Sequence, residues 1–476
     1  MNVAIIGGGL ASPKTSTRSL RITVIGGGFT GLTAAYDLSK RGHHVTLFEK
    51  EPHLGGLAYG FTNPNWQWHL EAAYHHLFTN DRHIIGLIHE LGLSDTLIIK
   101  RPITANLLPP SLLSSRPSSR PGLYPDSIGV DSGSGVPIFQ LDSPMHLFRF
   151  PALSIQDKFR TAILLAFLKL FPFWKLLEGF TAEQLLVSIG GVEAWKTIWE
   201  PLLYGKFGDF APTVSAAWFW ARIQKRTQRL CYIEGGFHTL VEALRKAIID
   251  NGGEIFTSTA VESIQNVSGG SYNVLWKKHK QKFDKVLITI PTPFALSLLP
   301  KYEIRNTKYE SLLSIPHLTA QTLILETDKP ILKDVYWLNV TDRSFPFLAA
   351  VAHTNFMDSK YYGNHHLTYF GNYLPHGHPY LSMTKEQLLK KIMPFIKRLL
   401  PSPNYQLRIT NSHMFVGPFA QPVHQLHYSQ KIPPIQTPIP GIYMANMDYV
   451  VPWDRGTNYA VELGQRAAKC ILKEAK

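Results

Sequence analysis

The sequence predicts an α/β fold: a doubly wound parallel sheet joined to a discontinuous second domain of mixed sheet and helices. Three observations predict it. Residues 21–49 read as strand, glycine turn, helix and strand, the opening unit of a parallel sheet. The stretches 232–290 and 441–473 return to alternating strand and helix patterns, as a sheet assembled from distant segments requires. The 476 residues, 45% hydrophobic and 17% charged, suit a globular chain of more than one domain.

Taken in order, Asn2-Val-Ala-Ile-Ile-Gly-Gly-Gly and Arg21-Ile-Thr-Val-Ile-Gly-Gly-Gly repeat one strand-to-glycine element. Only the second continues into a helix, from Leu32 to Lys40 with Gly42 as its stop, so residues 1–20 are expected to be an extension. His44-Val-Thr-Leu-Phe supplies the next strand and ends in Glu49. Residues 108–137, rich in Pro, Ser and Gly, predict a flexible insertion. From 151 to 230 the pattern is helical and aromatic, with Trp174, Trp195, Trp199, Trp218 and Trp220. A helix near 238–251 precedes strands near 254–265, 272–277 and 285–290, which Pro291 and Pro293 end. Alternation over 315–375 predicts sheet, followed by a helix near 384–399 and a closing strand, loop and helix to Lys473. The expected first domain is 21–80, 231–299 and 411–476; the second is 81–230 with 300–410.

Gly26-Gly-Gly28-Phe29-Thr30-Gly31 fits G-x-G-x-x-G between a strand and a helix, with Glu49 at the spacing of about 20 residues that a dinucleotide-binding, Rossmann-type fingerprint requires. Gly26 makes the tight turn, Gly28 admits a pyrophosphate and Gly31 lets helix and strand pack closely. Free N–H groups and the helix dipole favour the phosphates, and Glu49 accepts from a ribose.

After Glu49 comes Lys50-Glu-Pro-His-Leu-Gly55-Gly56-Leu57-Ala58. Here the chain resembles the flavoproteins that include amine oxidases, protoporphyrinogen oxidases, carotenoid desaturases and UDP-galactopyranose mutases. The resemblance implies FAD as cofactor and places Gly55 and Gly56 beside the flavin; Leu57 and Ala58 stand where many members carry arginine. Gly441-Ile-Tyr-Met-Ala-Asn446-Met-Asp448 and the following Gly456-Thr457-Asn458-Tyr-Ala-Val-Glu-Leu-Gly464 are similar to that family's closing flavin segment. This implies Asp448 near the ribityl chain, with Asn446 in place of the usual glycine. Thr457 and Asn458 fall in the first turn of a helix whose dipole would stabilise reduced flavin. Thr259-Ala-Val261-Glu-Ser-Ile fits the family strand that passes the adenine.

The chemistry that follows is hydride transfer from a small or lipid-like organic substrate to the flavin. Two alternatives stay open: non-redox catalysis on a nucleotide sugar, and flavin binding without turnover. His75-His76-Leu-Phe-Thr-Asn resembles a flavin-facing stretch of the mutases, which makes His76 a catalytic candidate. Lys206 is the second, inside residues 200–208, which like Trp218-Phe-Trp220-Ala-Arg222 form a dense aromatic and basic stretch of the right length to line a pocket. No metal site is expected, since adjacent histidines point to opposite faces of a strand. The net charge of +14 favours anionic partners, but no nucleic-acid motif accompanies it. Cys231 and Cys470 alone suggest a reducing compartment, and the basic residues after the N-terminal apolar run do not suit a signal peptide. A cytoplasmic protein is expected. The helix near 161–177 is apolar nearly all round, which fits either burial in the helical domain or shallow insertion beside Lys169 and Lys175; burial is the expected outcome, with charge alone drawing weak contact with an anionic membrane.

Overall fold

The computed structural model of the chain describes residues 19–110, 136–267 and 270–474. Its organising element is a parallel sheet of β1 (Arg21–Ile25), β2 (His44–Phe48), β3 (Glu254–Phe256), β4 (Lys285–Ile288) and β5 (Ile442–Met444), in the order β3-β2-β1-β4-β5. Helices cover its faces, so the strands read as continuous apolar runs: Ile22, Val24, Leu47, Val286 and Leu287 are all buried. Against α1 (Phe29–Ser39) pack α2 (Phe237–Asp250) and α3 (Thr457–Glu474). A Cβ at Gly464 would lie 2.5 Å from the Thr30 carbonyl oxygen, so only glycine lets α3 lie this close to α1.

Residues 254–265 do not form the single strand expected of them. β3 ends at Phe256 and the chain turns through Ser258, whose φ is +49°, before the antiparallel meander Ser263–Val267, Ser271–Trp276 and His279–Phe283. Its Trp276 ring rests 4.6 Å from Phe48.

The second sheet has seven strands, in the order Ile409–Pro422, His317–Thr327, His366–Leu374, Ala349–Ala352, Val335–Val340, Ile103–Leu107 and Ile138–Gln140. It is mixed because Val335–Val340 runs parallel to Ile103–Leu107. Ile409–Pro422 pairs along the length of His317–Thr327, so residues 411–422 belong with this sheet and not with the parallel one. Helix Arg82–Glu90, expected with the second domain, packs on α3.

In the helical region Pro172 ends helix Ile155–Leu170, and Trp174–Leu177 forms a separate turn, so the expected helix over 161–177 is divided. Ile155–Leu170 is apolar on two opposite faces. Thr161, Leu164 and Leu168 are buried, whereas Ile155, Phe159, Ile163 and Leu170 are exposed. Ten of the seventeen exposed large hydrophobic side chains among the described residues lie between Met145 and Val192. No described helix is long and apolar enough to cross a membrane. The expected extension 1–20, apart from Ser19 and Leu20, and most of the expected insertion 108–137 lie outside the described residues.

Candidate active site

After β1 the chain turns through Gly26 at φ +114°, a conformation that disfavours any side chain. A Cβ on Gly31 would sit 1.9 Å from the Gly26 carbonyl oxygen, which no substitution can accommodate without moving backbone. Gly28 caps α1 without a side-chain hydrogen bond, and no acidic residue occupies the first turn, so that turn's N–H groups face outward without a side-chain acceptor. Alongside, Gly55 N–H donates to the Gly27 carbonyl at 2.9 Å. A Cβ on Gly56 would lie 3.2 Å from the Gly28 Cα, while one on Gly28 would meet only the Gly56 Cα, at 3.9 Å. Two glycine segments thus meet as bare backbone beside a helix N-terminus, a cradle suited to phosphates.

Glu49 closes one side of that cradle. Its Oε2 accepts from Gly27 N–H at 2.6 Å and its Oε1 from Glu51 N–H at 2.9 Å. Its carbonyl accepts from Thr259 N–H at 2.8 Å, which brings the segment carrying Val261 beside the acid. Phe29, Thr30 and Ala58 are buried in the walls. Lys50 pairs with Glu51 at 3.3 Å, and the Leu57 side chain reaches the backbone of the mixed sheet at Gly417. At the end of β5, buried Asp448 accepts from Thr292 Oγ1 at 2.5 Å and bonds His317 Nε2 at 2.6 Å. Asn446 donates to the Ile290 carbonyl at 3.0 Å and so ties β5 to the end of β4. Thr457 is buried at the start of α3. Asn458 Oδ1 accepts from the N–H groups of His83 and Ile84, at 3.0 and 3.2 Å, and caps helix Arg82–Glu90.

Half-buried side chains outline a cleft beside the cradle. Phe29 meets Phe237 edge-on at 6.3 Å, and Phe237 meets His75 at 5.6 Å. Tyr74, His75 and His76 lie deep in the protein yet retain accessible surface, as cleft walls do. Burial holds both imidazoles neutral, lowering His75 to about 4 and His76 to about 3. His76 Nδ1 lies 3.1 Å from the Tyr336 hydroxyl. Opposite stands a charged cluster centred on Asp454, whose carboxylate accepts from Lys206 Nζ at 2.9 Å, Trp218 Nε1 at 3.0 Å and Arg222 at 3.2 Å. Gln421 adds a fourth side-chain donor at 3.3 Å, its own carbonyl accepts from the Arg455 side chain at 2.8 Å, and the Arg455 main-chain N–H donates to the carboxylate at 3.0 Å. Burial, opposed by Asp454, lowers Lys206 to about 7. The cations Lys206 and Arg222 thus share one carboxylate, and the Arg455 guanidinium joins the cluster through Gln421.

The profile of the flavin containing amine oxidoreductases matches residues 29–472. The chain belongs to that family. It is an FAD-dependent oxidoreductase, and the open backbone cradle with Glu49 at its side fits that cofactor. Among curated relatives, it is 30% identical to a probable zeta-carotene desaturase of Synechococcus elongatus, though over 17% of each chain. It is 21% identical to the zeta-carotene desaturase of Solanum lycopersicum, over 80% of this chain and 69% of that one. Solved structures agree on the fold. A protein assigned as a protoporphyrinogen oxidase, from Exiguobacterium sp. 255-15, superposes with TM-score 0.71 at 19% identity, covering 96% of this chain and 99% of that one. A reduced UDP-galactopyranose mutase does so with TM-score 0.70 at 14% identity, covering 96% of each.

Within this flavoenzyme, sequence reasoning missed Thr292, His317, Gln421, Asp454 and Arg455, and named Arg222 only as part of a stretch that could line a pocket. That stretch, Trp218-Phe-Trp220-Ala-Arg222, places Trp218 and Arg222 on one face of helix Ala216–Lys225, as a pocket wall would. Asp454 carried no such signal, since its charged partners Lys206 and Arg222 lie more than two hundred residues away.

Proposed function

We propose that this oxidoreductase takes a hydride from a small organic molecule seated in the cleft beside Tyr74, His76 and Arg222. The observation that carries the reading is the unbroken aromatic contact from Phe29 in the glycine loop, through Phe237, to His75 in the cleft wall. When bound, FAD supplies the hydride acceptor. The first-turn N–H groups of α1 would hold its pyrophosphate, Glu49 its ribose, and the Val261 segment its adenine. Asp448, fixed by Thr292 and His317, and Thr457 at the start of α3 would face the ribityl chain and flavin edge. Neutral His76 acts as a hydrogen-bonding wall oriented by Tyr336, not as a charged acid. Lys206, fastened to Asp454, positions the opposite wall.

The test is redox turnover of the holoenzyme, photoreduced without oxygen and then exposed to air or a soluble quinone, alongside a panel of amines, polyenes and UDP-sugars. Return of the oxidised flavin spectrum is expected. A bound flavin that can be neither reduced nor reoxidised contradicts the proposal and favours flavin binding without turnover. Turnover of a UDP-sugar with no net electron transfer favours the mutase alternative.

We also propose that the protein touches anionic bilayers through the outward stripe of Ile155, Phe159, Ile163 and Leu170. The stripe lies at helical spacing on the face opposite buried Leu164 and Leu168. Between residues 145 and 180 five basic residues (Arg149, Lys158, Arg160, Lys169, Lys175) outnumber two acidic ones (Asp157, Glu178). Lys169 and Arg160 donate to main-chain carbonyls, which leaves their charge unneutralised. Co-sedimentation with phosphatidylglycerol vesicles should persist at high salt and fall with Ile163→Glu. Binding lost at high salt would reduce the contact to charge alone.

A further inference from the structure

The cleft carries more positive charge than its own carboxylate can balance. Arg222, Lys206 and Arg455 all bear on it, and among the described residues Asp454 is the one carboxylate in hydrogen-bond contact with any of them. Arg222 is the hub: its charge lowers the proton affinities of Lys206, Arg226 and Arg455, each of which is already desolvated. Only one guanidinium nitrogen of Arg222 meets Asp454, at 3.2 Å, and its side chain keeps 40% of its accessible surface. Arg226 follows four residues on, and its guanidinium makes no hydrogen bond or ion pair among the described residues. The carboxylate that it feels, Asp142, is engaged by His146 at 2.7 Å and Gln140 at 2.9 Å. Arg226 is exposed and unpaired among the described residues, Arg222 is held by a single bond, and planar guanidinium groups with unused N–H donors match the oxygens of an oxyanion.

We infer that the substrate bears a carboxylate or phosphate group, which Arg222 and Arg226 receive, and that the same charge turns away protonated amines. This rests on the cleft being the substrate site, as proposed above. Membership of an amine oxidoreductase family makes the inference a discriminating one, because an ammonium group entering here would meet Lys206, Arg222, Arg226 and Arg455 with Asp454 already shared.

Three probes of equal chain length separate charge from shape: succinate, succinamide and putrescine, with inorganic phosphate as the second anion. Binding is measured by calorimetry on the FAD-loaded protein. Succinate or phosphate should bind, with succinamide about tenfold or more weaker and putrescine undetected. A preference between the two anions distinguishes a carboxylate from a phosphate ligand. Arg222→Gln and Arg226→Gln should each weaken anion binding by about tenfold or more with FAD content unchanged. Arg226→Gln removes no internal partner, so its result stands even if Arg222→Gln disturbs folding. Absence of anion binding, equal binding of putrescine, or anion affinity unmoved in Arg226→Gln would overturn the inference. A protein that holds no FAD would instead overturn the functional reading, and calorimetry on the unloaded protein would still report on the anion site.

Discussion

Replacing Asp454 by Asn should destabilise the protein by about 3–5 kcal/mol, the usual cost of removing one member of a buried charge cluster. The neighbourhood explains why Asn is no substitute. Every group in hydrogen-bond contact with the carboxylate is a donor: the Lys206 ammonium, the Trp218 indole N–H, the Arg222 guanidinium, the Gln421 amide nitrogen and the Arg455 main-chain N–H. An Asn amide group would turn two N–H bonds toward them and leave Lys206 and Arg222 without an opposing charge. Lys206→Met in the same background should recover part of the loss, because it removes one of the stranded cations. Urea denaturation of the wild type, both single variants and the double variant gives the cycle, and a coupling of about 2 kcal/mol or more is expected. Asp454→Asn within about 1 kcal/mol of wild type, or a cycle that closes additively, would refute the argument.

Gly31→Ala should abolish soluble holoenzyme, since its Cβ would stand 1.9 Å from the Gly26 carbonyl oxygen; a variant with normal FAD content would contradict the packing. Glu49→Gln should weaken FAD binding by about 1.5–3 kcal/mol, read by equilibrium dialysis, and unchanged affinity would remove Glu49 from the site. Asn458→Ala should cost about 0.5–2 kcal/mol of stability, the price of a helix cap, while FAD affinity stays the same. Glu71 is buried between the Tyr232 hydroxyl and the Phe237 N–H, both at 2.8 Å, and burial raises it to about 7 from 4.5. Its folded-state value is the higher one, so it contributes stability that is fully present below about pH 4.5 and is lost as pH rises to about 7, a change of about 3 kcal/mol. Unfolding curves between those pH values should lose this slope in Glu71→Gln, and an identical slope in both proteins would contradict the assignment.

The parallel sheet and its glycine loop were legible because local backbone demands wrote them. A turn at φ +114° and a helix lying on a carbonyl oxygen both exclude side chains, and the glycines at 26 and 31 record this in one short stretch. The charged wall was legible only in part: the stretches of Lys206 and Arg222 read as pocket walls, but their meeting at Asp454 arises only after three separate segments fold together. Asn458 shows the same limit at a single residue. Its place in the first turn of α3 was legible, but its hydrogen-bond partners, N–H groups of a helix some 375 positions earlier, were not. Helix Ile155–Leu170 marks a third case: apolar residues all round the helix fit full burial, but only the face of Leu164 and Leu168 meets the core. Periodicity identifies an apolar face and does not say what covers it.

The central claim is that the chain folds round FAD at the Gly28–Gly56 cradle, and the most direct measurement is flavin content of the purified protein with Gly28→Trp as the paired variant. The wild type should be yellow and release FAD, not FMN or NAD, on denaturation. Gly28→Trp should remain folded but lose the flavin, because a Cβ at Gly28 has the Gly56 Cα as its only neighbour within 4 Å, so the indole would fill the cradle without striking other backbone. A colourless wild type that cannot be reconstituted with FAD, or a folded Gly28→Trp that retains full flavin content, would contradict the account.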